Sequence, residues 1–300
     1  MAATCISCGS PAKFREINST TRLFCNAECQ LISHFSENFD LTNSGDNIRF
    51  LETVKYGDNA ALQALLADKN VQIAFGNKLL VSKALQLAIE EDNVEKVETL
   101  LSDARITSPP AESFEYAVIE NNMDMVELFF QHRHQYPEEF YFRLFLYLIQ
   151  NGTTDMTMFF LESGRFDPSA NENEALRIAV ERSAKPIIAA LLQDARVDPT
   201  VNRNEVLRMA IDNDRQDIVK MLLQSNRVKA SAFDNNALQL AVANENAAMV
   251  VMLLPYISST SDESYDYAIR VAGLTRNAKI KLLLEDYKAK KTLGLKRRKK

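Results

Sequence analysis

The chain has 300 residues, of which 46% are hydrophobic and 25% are charged, and its formal net charge is −5. This balance excludes a disordered chain, and no apolar run reaches the roughly 20 residues that a membrane-spanning helix needs. The eight glycines are scattered along the chain, which excludes a glycine-rich phosphate-binding loop.

The first 29 residues contain all four cysteines, in two closely spaced pairs: Cys5 with Cys8, and Cys25 with Cys29. Four thiolates at such spacings can form a closed tetrahedral zinc site, which is structural because no position is left for water. Residues 1–37 are too few to bury a core of their own, so we expect one Zn²⁺ to stabilise them. The alternatives are free or disulfide-bonded cysteines, and His34 is a rival ligand.

This segment resembles treble-clef zinc fingers of the FCS kind, on Cys5-x2-Cys8-Gly9 and on the run from Arg22 to Gln30. It is also similar to MYND fingers, although those carry a second set of ligands that this chain lacks. The resemblance implies a zinc-binding α+β finger with a β-hairpin around residues 13–23 and a short helix from about Asn26. Fingers of these families bind protein or nucleic acid.

The surroundings of the cysteines indicate the compartment. Met1 to Thr4 lead directly into Cys5 without the apolar core of a signal peptide. We therefore expect an intracellular protein with reduced thiols, in the cytoplasm or the nucleus. Residues 38–47 are polar and rich in helix-breaking residues, and predict a linker.

A unit of about 31 residues recurs from residue 48 onward. The blocks 175–180, 206–211 and 237–242 share one apolar pattern, and each is followed by a Leu-Leu pair. We name the fifth residue of each block the anchor and number the other positions of a copy from it. The anchors are Thr53, Ala88, Ala117, Leu148, Ala179, Ala210 and Ala241. A fixed period with a fixed pattern predicts about eight tandem copies over residues 48–287.

Apolar residues within each copy follow two helical stripes, one at positions −3, 0 and +1 and one at +8, +9, +12 and +13. Position +4, between the stripes, holds a residue that ends a helix or caps the next one in every copy except that of Glu245. With Ser183 as N-cap, Pro186 falls in a first helical turn. Each copy is thus predicted to be helix, tight turn and helix, and stacking of copies predicts an α-solenoid. We expect the eighth copy, residues 265–284, to carry about two extra residues before Leu282 and Leu283.

The order along the copies is A-L-x-x-A-V, followed by a turn residue and then by I-V-x-x-L-L. This pattern resembles the ankyrin repeat. It is especially similar to the short variety found in amoebae and in the giant DNA viruses that infect them. The resemblance implies a mostly α fold of stacked helix-turn-helix repeats, with a partner protein on the inner face. Asn173 to Leu176 replace the usual Thr-Pro-Leu-His opening, so plain loops and β-hairpins between copies remain alternatives. Tetratricopeptide repeats, at 34 residues, fit less well.

The exposed end of each first helix is predicted at positions +2 and +3, which we call the surface row. We expect its polar members to bind a partner: Glu90, Glu91, Glu120, Gln150, Asn151, Glu181, Arg182, Asp212, Asn213 and Asn244. Loop position −6 adds Asn173, Asn204 and Asn235. An acidic, amide-rich row favours a basic or polar protein surface and disfavours nucleic acid along the stack. The alternative is that the row serves only solubility.

The last thirteen residues contain eight Lys or Arg and no acid. Residues 288–300 are predicted to form a solvated basic tail. Its end is similar to a nuclear-import signal, formed by Lys296, Arg297, Arg298, Lys299 and Lys300. An ordinary basic C-terminus is the alternative.

The sequence as a whole predicts a non-enzymatic protein-interaction scaffold, monomeric and without membrane contact. The likeness to viral repeats implies a host-directed partner. One alternative is nucleic-acid binding through the tail and through the finger with Lys13, Arg15 and Arg22. A second alternative is an adaptor that recruits a ubiquitin ligase.

Overall fold

The computed structural model describes residues 13–17, 20–24, 44–132, 134–151, 153–225, 227–230, 232–257, 263–274 and 277–298. The chain divides into two compact units, Met1–Tyr136 and Pro137–Lys300, which we call the N-unit and the C-unit. The described residues contain sixteen α-helices and two strands. The prediction of a mostly helical fold is confirmed.

A short hairpin lies near the start of the N-unit. Strands β1 (Lys13–Ile17) and β2 (Thr20–Phe24) pair in antiparallel fashion, with Lys13 opposite Phe24. The hairpin coincides with the one expected around residues 13–23. The short helix expected from about Asn26 lies outside the described residues.

Three helix pairs form the rest of the N-unit. They are α1 (Ser44–Tyr56) with α2 (Asn59–Ala67), α3 (Lys78–Glu90) with α4 (Val94–Ser102), and α5 (Ala111–Ile119) with α6 (Met123–Gln131). First helices pack on first helices, α1 on α3 and α3 on α5, and second helices pack on second helices in the same order. Contacts therefore pass from each pair to the next, as a stack of repeats requires.

The predicted linker extends less far than expected. Helix α1 begins at Ser44, inside residues 38–47. The carboxylate of Asp46 accepts a hydrogen bond from the Gln72 backbone N–H at 2.9 Å, and buried Asn47 accepts one from the Ala74 N–H at 3.0 Å. The end of the predicted linker is therefore part of the first repeat.

The C-unit contains five helix pairs. They are α7 (Glu138–Asn151) with α8 (Thr154–Glu162), α9 (Ala170–Arg182) with α10 (Lys185–Gln193), α11 (Val201–Asp212) with α12 (Gln216–Gln224), α13 (Ala232–Ala243) with α14 (Ala247–Leu253), and α15 (Glu263–Leu274) with α16 (Ala278–Arg298). A 3₁₀ turn, Leu254–Tyr256, follows α14. The first helices α7, α9, α11, α13 and α15 pack on one another in sequence order.

The predicted apolar stripes form the core of both units. Positions −3 and +12 are fully or almost fully buried in all seven regular copies, and the anchors Ala88, Ala117, Ala179, Ala210 and Ala241 are at most 1% exposed. A small anchor lets the first helices of neighbouring copies approach closely. No strand separates the helix pairs within the described part of residues 44–298, so the plain-loop alternative holds there.

The turn at position +4 has one geometry in five copies. Asp92, Asn121, Ser183, Asp214 and Glu245 all have left-handed backbones, with φ between 50° and 57°. In each copy the N–H at +5 donates to the anchor carbonyl and the N–H at +4 donates to the carbonyl at +1. This is the Schellman motif, which satisfies the last carbonyls of a helix. Ser183 therefore ends α9, and the prediction that it caps the next helix is wrong, although Pro186 does lie in the first turn of α10.

Loops between pairs are tied together by arginine. Asp194 accepts hydrogen bonds from the backbone N–H and the guanidinium of Arg196, while Arg196 Nη1 reaches the Phe166 carbonyl of the preceding loop at 3.1 Å. Asp103 and Arg105 repeat this arrangement, with Arg105 Nη2 at 3.0 Å from the Leu66 carbonyl. The arginines therefore satisfy backbone carbonyls that the helices leave without partners.

The last pair differs from its prediction. Ile280 and Leu284 are fully buried, whereas Leu282 is 68% exposed, so four extra residues, and not two, precede the buried apolar position. The apolar residues of positions +9 and +13 are then replaced by Lys281 and Glu285, which form an i,i+4 ion pair at 3.9 Å. A charged outer face is typical of the terminal repeat of a stack.

The predicted basic tail begins inside a helix. Helix α16 continues to Arg298, well past Lys288. Lys288 pairs with Asp266, and Lys291 donates to the carbonyl of Ile257. The first part of the tail therefore packs on the last repeats.

Candidate protein-binding surface

All ten polar residues predicted to bind a partner are exposed. They lie in the last turn of a first helix or at its C-cap, and in five copies the left-handed turn follows them directly. Because the turn has the same geometry in those copies, it brings the row to the same edge of each of their pairs. The exposure is as expected, while the binding role stays a prediction.

Two exposed apolar side chains belong to the row in the N-unit. Tyr56 is 58% exposed and Ile119 is 54% exposed. Between them along the chain lie Glu90 and Glu91 of the second copy. Burial, followed by the charges of Glu90 and Glu120, raises the pKa of the nearby Tyr116 hydroxyl. Protein-binding surfaces are often composed of large exposed apolar or aromatic residues with charged residues beside them.

Some members of the row also join neighbouring copies. Asn244 Nδ2 donates to Asp212 Oδ1 of the preceding copy at 3.0 Å, and Glu91 accepts a hydrogen bond at 2.9 Å from the buried Lys96 ammonium of its own copy. Two residues beyond Asn244, Asn246 Nδ2 donates to Asp214 Oδ1 at 2.7 Å. These residues therefore stabilise the stack whether or not a partner binds.

The loop asparagines do not belong to this surface. Asn173 and Asn204 are each 4% exposed, and their amides donate to the carbonyls of Asp198 and Lys229 in the next loop, at 2.8 and 3.2 Å. Their prediction as surface residues is wrong. The side chain of Asn235 lies outside the described part.

Left-handed turns explain this burial. Residues 171–173 and 202–204 each have three successive backbones with φ between 53° and 60°. Such backbones cost non-glycine residues roughly 1–2 kcal/mol each. The buried amide bonds to the next loop offset part of this cost, and they turn the asparagines inward.

A groove lies at the start of the first helices in the C-unit. It has a volume of about 560 Å³ and is bounded by the first turns of α7 and by residues 167–171. Phe142 and Leu146 form an apolar floor, and Glu138, Glu139 and Asp167 surround it. Volumes of this order are typical of sites that accept a ligand or a side chain.

The predicted zinc ligands lie outside the described residues: Cys5, Cys8, Cys25 and Cys29. The described hairpin occupies the interval between the two cysteine pairs, and β2 ends one residue before Cys25. Within the described residues, no group of three or more His, Cys, Asp or Glu side chains could hold a metal ion.

The predicted import-like residues are divided by the end of α16. Lys296, Arg297 and Arg298 belong to the last turns of the helix, and Lys299 and Lys300 lie outside the described residues. None of the described helices combines the length and the apolar character that crossing a lipid bilayer would require.

Sequence reasoning missed three features of this surface. Buried Lys96 occupies position +8, which is apolar in copies three to seven. The groove beside α7 left no periodic signal. The asparagines at position −6 do recur, but their inward direction depends on backbone carbonyls of the next loop, which the sequence does not show.

No family model matches the sequence, and no curated protein matches it.

Proposed function

We propose that the chain is a non-enzymatic protein-interaction scaffold of ankyrin-like repeats, with its partner bound along the surface row. The observation that carries the proposal is the register of the row. In copies two, three, five, six and seven, the first helix ends at the same left-handed turn and presents exposed side chains at the same two positions before it. A regular polar edge with exposed apolar residues suits an extended protein segment.

The N-unit part of the row is the stronger half of the proposed site. Tyr56 and Ile119 supply apolar contact area, and Glu90 and Glu120 supply negative charge beside it. A partner segment that carries apolar and basic residues would complement both. Charged groups at such an edge chiefly determine specificity and association rate, while the apolar residues contribute most of the affinity.

Peptide selection tests the proposal without a known partner. A random dodecapeptide phage library is selected on the immobilised full-length chain, and enriched peptides are measured against two variants. The row variant carries Tyr56→Ser, Glu90→Lys, Ile119→Ser and Glu120→Lys. The control carries the same kinds of change on exposed second-helix positions, Gln63→Ser, Glu98→Lys, Glu127→Lys and Gln131→Ser.

We expect peptides with micromolar dissociation constants for the wild-type chain. Their affinity should fall at least about tenfold on the row variant and stay within about twofold on the control. Peptides that lose affinity equally on both variants, or a selection without enrichment, would refute it. Circular dichroism verifies that both variants keep the helical signal.

We further propose that Cys5, Cys8, Cys25 and Cys29 hold one structural Zn²⁺. The position of the hairpin between the two cysteine pairs supports this, since a treble-clef finger places a hairpin there. Elemental analysis of the purified chain should give one zinc per molecule, and Cys8→Ser should lower this ratio. A metal-free wild-type chain purified without chelator would contradict the proposal.

A further inference from the structure

The groove beside α7 has an apolar floor and an acidic rim. Phe142 and Leu146 of α7 form the floor together with Ala170, which begins α9. The carboxylates of Glu138, Glu139 and Asp167 lie around it. An apolar floor with an acidic rim complements a side chain that has an aliphatic stem and a cationic end.

A hydrogen bond holds the rim in place, and the net charge of the rim is negative. Glu138 Oε1 accepts a hydrogen bond from the Asp167 N–H at 2.7 Å, which links the start of α7 to the loop before α9. Arg143 is the cation on the groove wall, and its guanidinium lies 5.6 Å from the Phe140 ring centroid. The nearby Arg196 is paired with Asp194 at 2.7 Å, and the charges of Asp167 and Glu138 also act on it. Three carboxylates therefore outnumber the one cation among the residues that line the groove.

The following copies place an arginine of their own at the equivalent position. Leu146 stands at position −2, where the next two copies have Arg177 and Arg208. Arg177 Nη1 lies 4.0 Å from Glu205 of the next copy, and Arg208 Nη2 donates to the Asn202 carbonyl at 3.1 Å. The Nε atoms of both arginines are buried. The fold thus accepts a guanidinium beside this position twice, while the shorter Leu146 leaves the corresponding space open.

We propose that the groove beside α7 binds an arginine side chain presented by the partner protein. This inference rests on the proposed function, because it names one residue of the partner that the scaffold binds. The guanidinium takes the place that Arg177 and Arg208 occupy in their own copies. Its aliphatic stem covers Phe142 and Leu146, and its charge meets the rim carboxylates.

The groove is continuous with the surface row. Glu139, Arg143, Leu146 and Gln150 follow one another at intervals of four, three and four residues, so they share one face of α7. Gln150 belongs to the row. A partner segment on the C-unit row can therefore place an arginine in the groove without leaving the surface.

Small-molecule probes test the groove directly. The probe is Nα-acetyl-arginine amide, titrated into the full-length chain with ¹³C-labelled leucine and alanine methyl groups. Nα-acetyl-citrulline amide is the matched control, because it has nearly the same shape without the charge. The proposal expects a saturable shift of the Leu146 and Ala170 methyl signals, with a dissociation constant on the order of millimolar for one side chain. Citrulline should bind at least about fivefold more weakly.

Three variants make the test specific. Leu146→Arg places the arginine of the next copies in the groove, so the Ala170 shift should disappear while the helical signal is retained. Glu138→Gln with Glu139→Gln keeps the acceptor for the Asp167 N–H and should weaken arginine binding at least about fivefold. Glu162→Gln removes an exposed charge on the second helix α8, away from both the groove and the surface row, and should leave the binding unchanged.

Equal binding of citrulline, an Ala170 shift that persists in Leu146→Arg, or the absence of any saturable shift would overturn the proposal. These failures differ from failure of the proposed function. Peptides that bind the row while the arginine probe binds nowhere refute the groove alone. Arginine binding without any selected peptide refutes the scaffold and leaves the groove.

Discussion

Lys96 donates a hydrogen bond from its ammonium to the backbone carbonyl of Val54, 42 residues earlier, at 2.6 Å. Its side chain is buried, and its second partner is Glu91 at 2.9 Å. Helix α1 ends at Tyr56, and Gly57 follows it without the left-handed backbone that satisfies the corresponding carbonyls in later copies. The lysine of the second copy thus supplies a donor that the first copy lacks.

Two substitutions distinguish the contact of Lys96 with the Val54 carbonyl from its contact with Glu91. Lys96→Met restores the residue type that Met125 and Met156 have at the same position, but it leaves the Val54 carbonyl without this donor. We expect it to lower the free energy of unfolding by roughly 1–3 kcal/mol, the cost of an unsatisfied buried polar group. Glu91→Gln should change it by less than about 0.5 kcal/mol, because Glu91 is exposed. Urea denaturation measures both, and a larger loss in Glu91→Gln would assign the stability to the ion pair instead.

Glu245 offers a stabilising change. It has the left-handed backbone of position +4 with φ 51°, which costs a residue with a Cβ atom more than it costs glycine. Glu245→Gly should raise the free energy of unfolding by roughly 0.5–1 kcal/mol. Glu181→Gly, in an ordinary helical turn, is the matched control and should lower it by a similar amount. Thermal denaturation that shows both variants less stable than wild type would contradict the turn geometry.

Acid should weaken the loop contacts. The hydrogen bond from Arg196, followed by its charge, lowers the pKa of Asp194 below its usual range, and the Thr200 N–H does the same for Asp198. Their stabilisation is complete above the unfolded pKa of about 3.9 and is lost as the pH falls through the folded pKa. The stability difference between wild type and Asp194→Asn should therefore be largest near neutral pH and shrink below about pH 4. Urea denaturation at several pH values measures it, and a difference that grows in acid would reverse the sign of this account.

The repeat and its turns could be predicted from the sequence because each copy must bury the same apolar positions and then reverse the chain direction. The residue at +12 is buried in every regular copy, and a turn follows the surface row as expected. The burial of Lys96 could not be predicted, because the sequence does not show the backbone acceptor in another copy that satisfies its charge. From the sequence, Asn173 looks like an exposed loop residue. Its burial follows from the hydrogen bond that its amide donates to the adjoining loop. The groove could not be predicted, because its lining combines residues of α7 with Asp167, Ala170 and Asn171, which lie apart in the sequence.

The central claim is that, within each unit, the same face of each first helix packs against the next copy, which leaves the surface row exposed. Ala210 is 1% exposed at the anchor of α11, and Ala243 is exposed at the row position of α13. Urea denaturation of Ala210→Phe and Ala243→Phe tests this claim most directly. The account predicts a loss of about 1–3 kcal/mol or more for Ala210→Phe and less than about 0.5 kcal/mol for Ala243→Phe. Equal effects of the two substitutions, or a larger effect at Ala243, would contradict it.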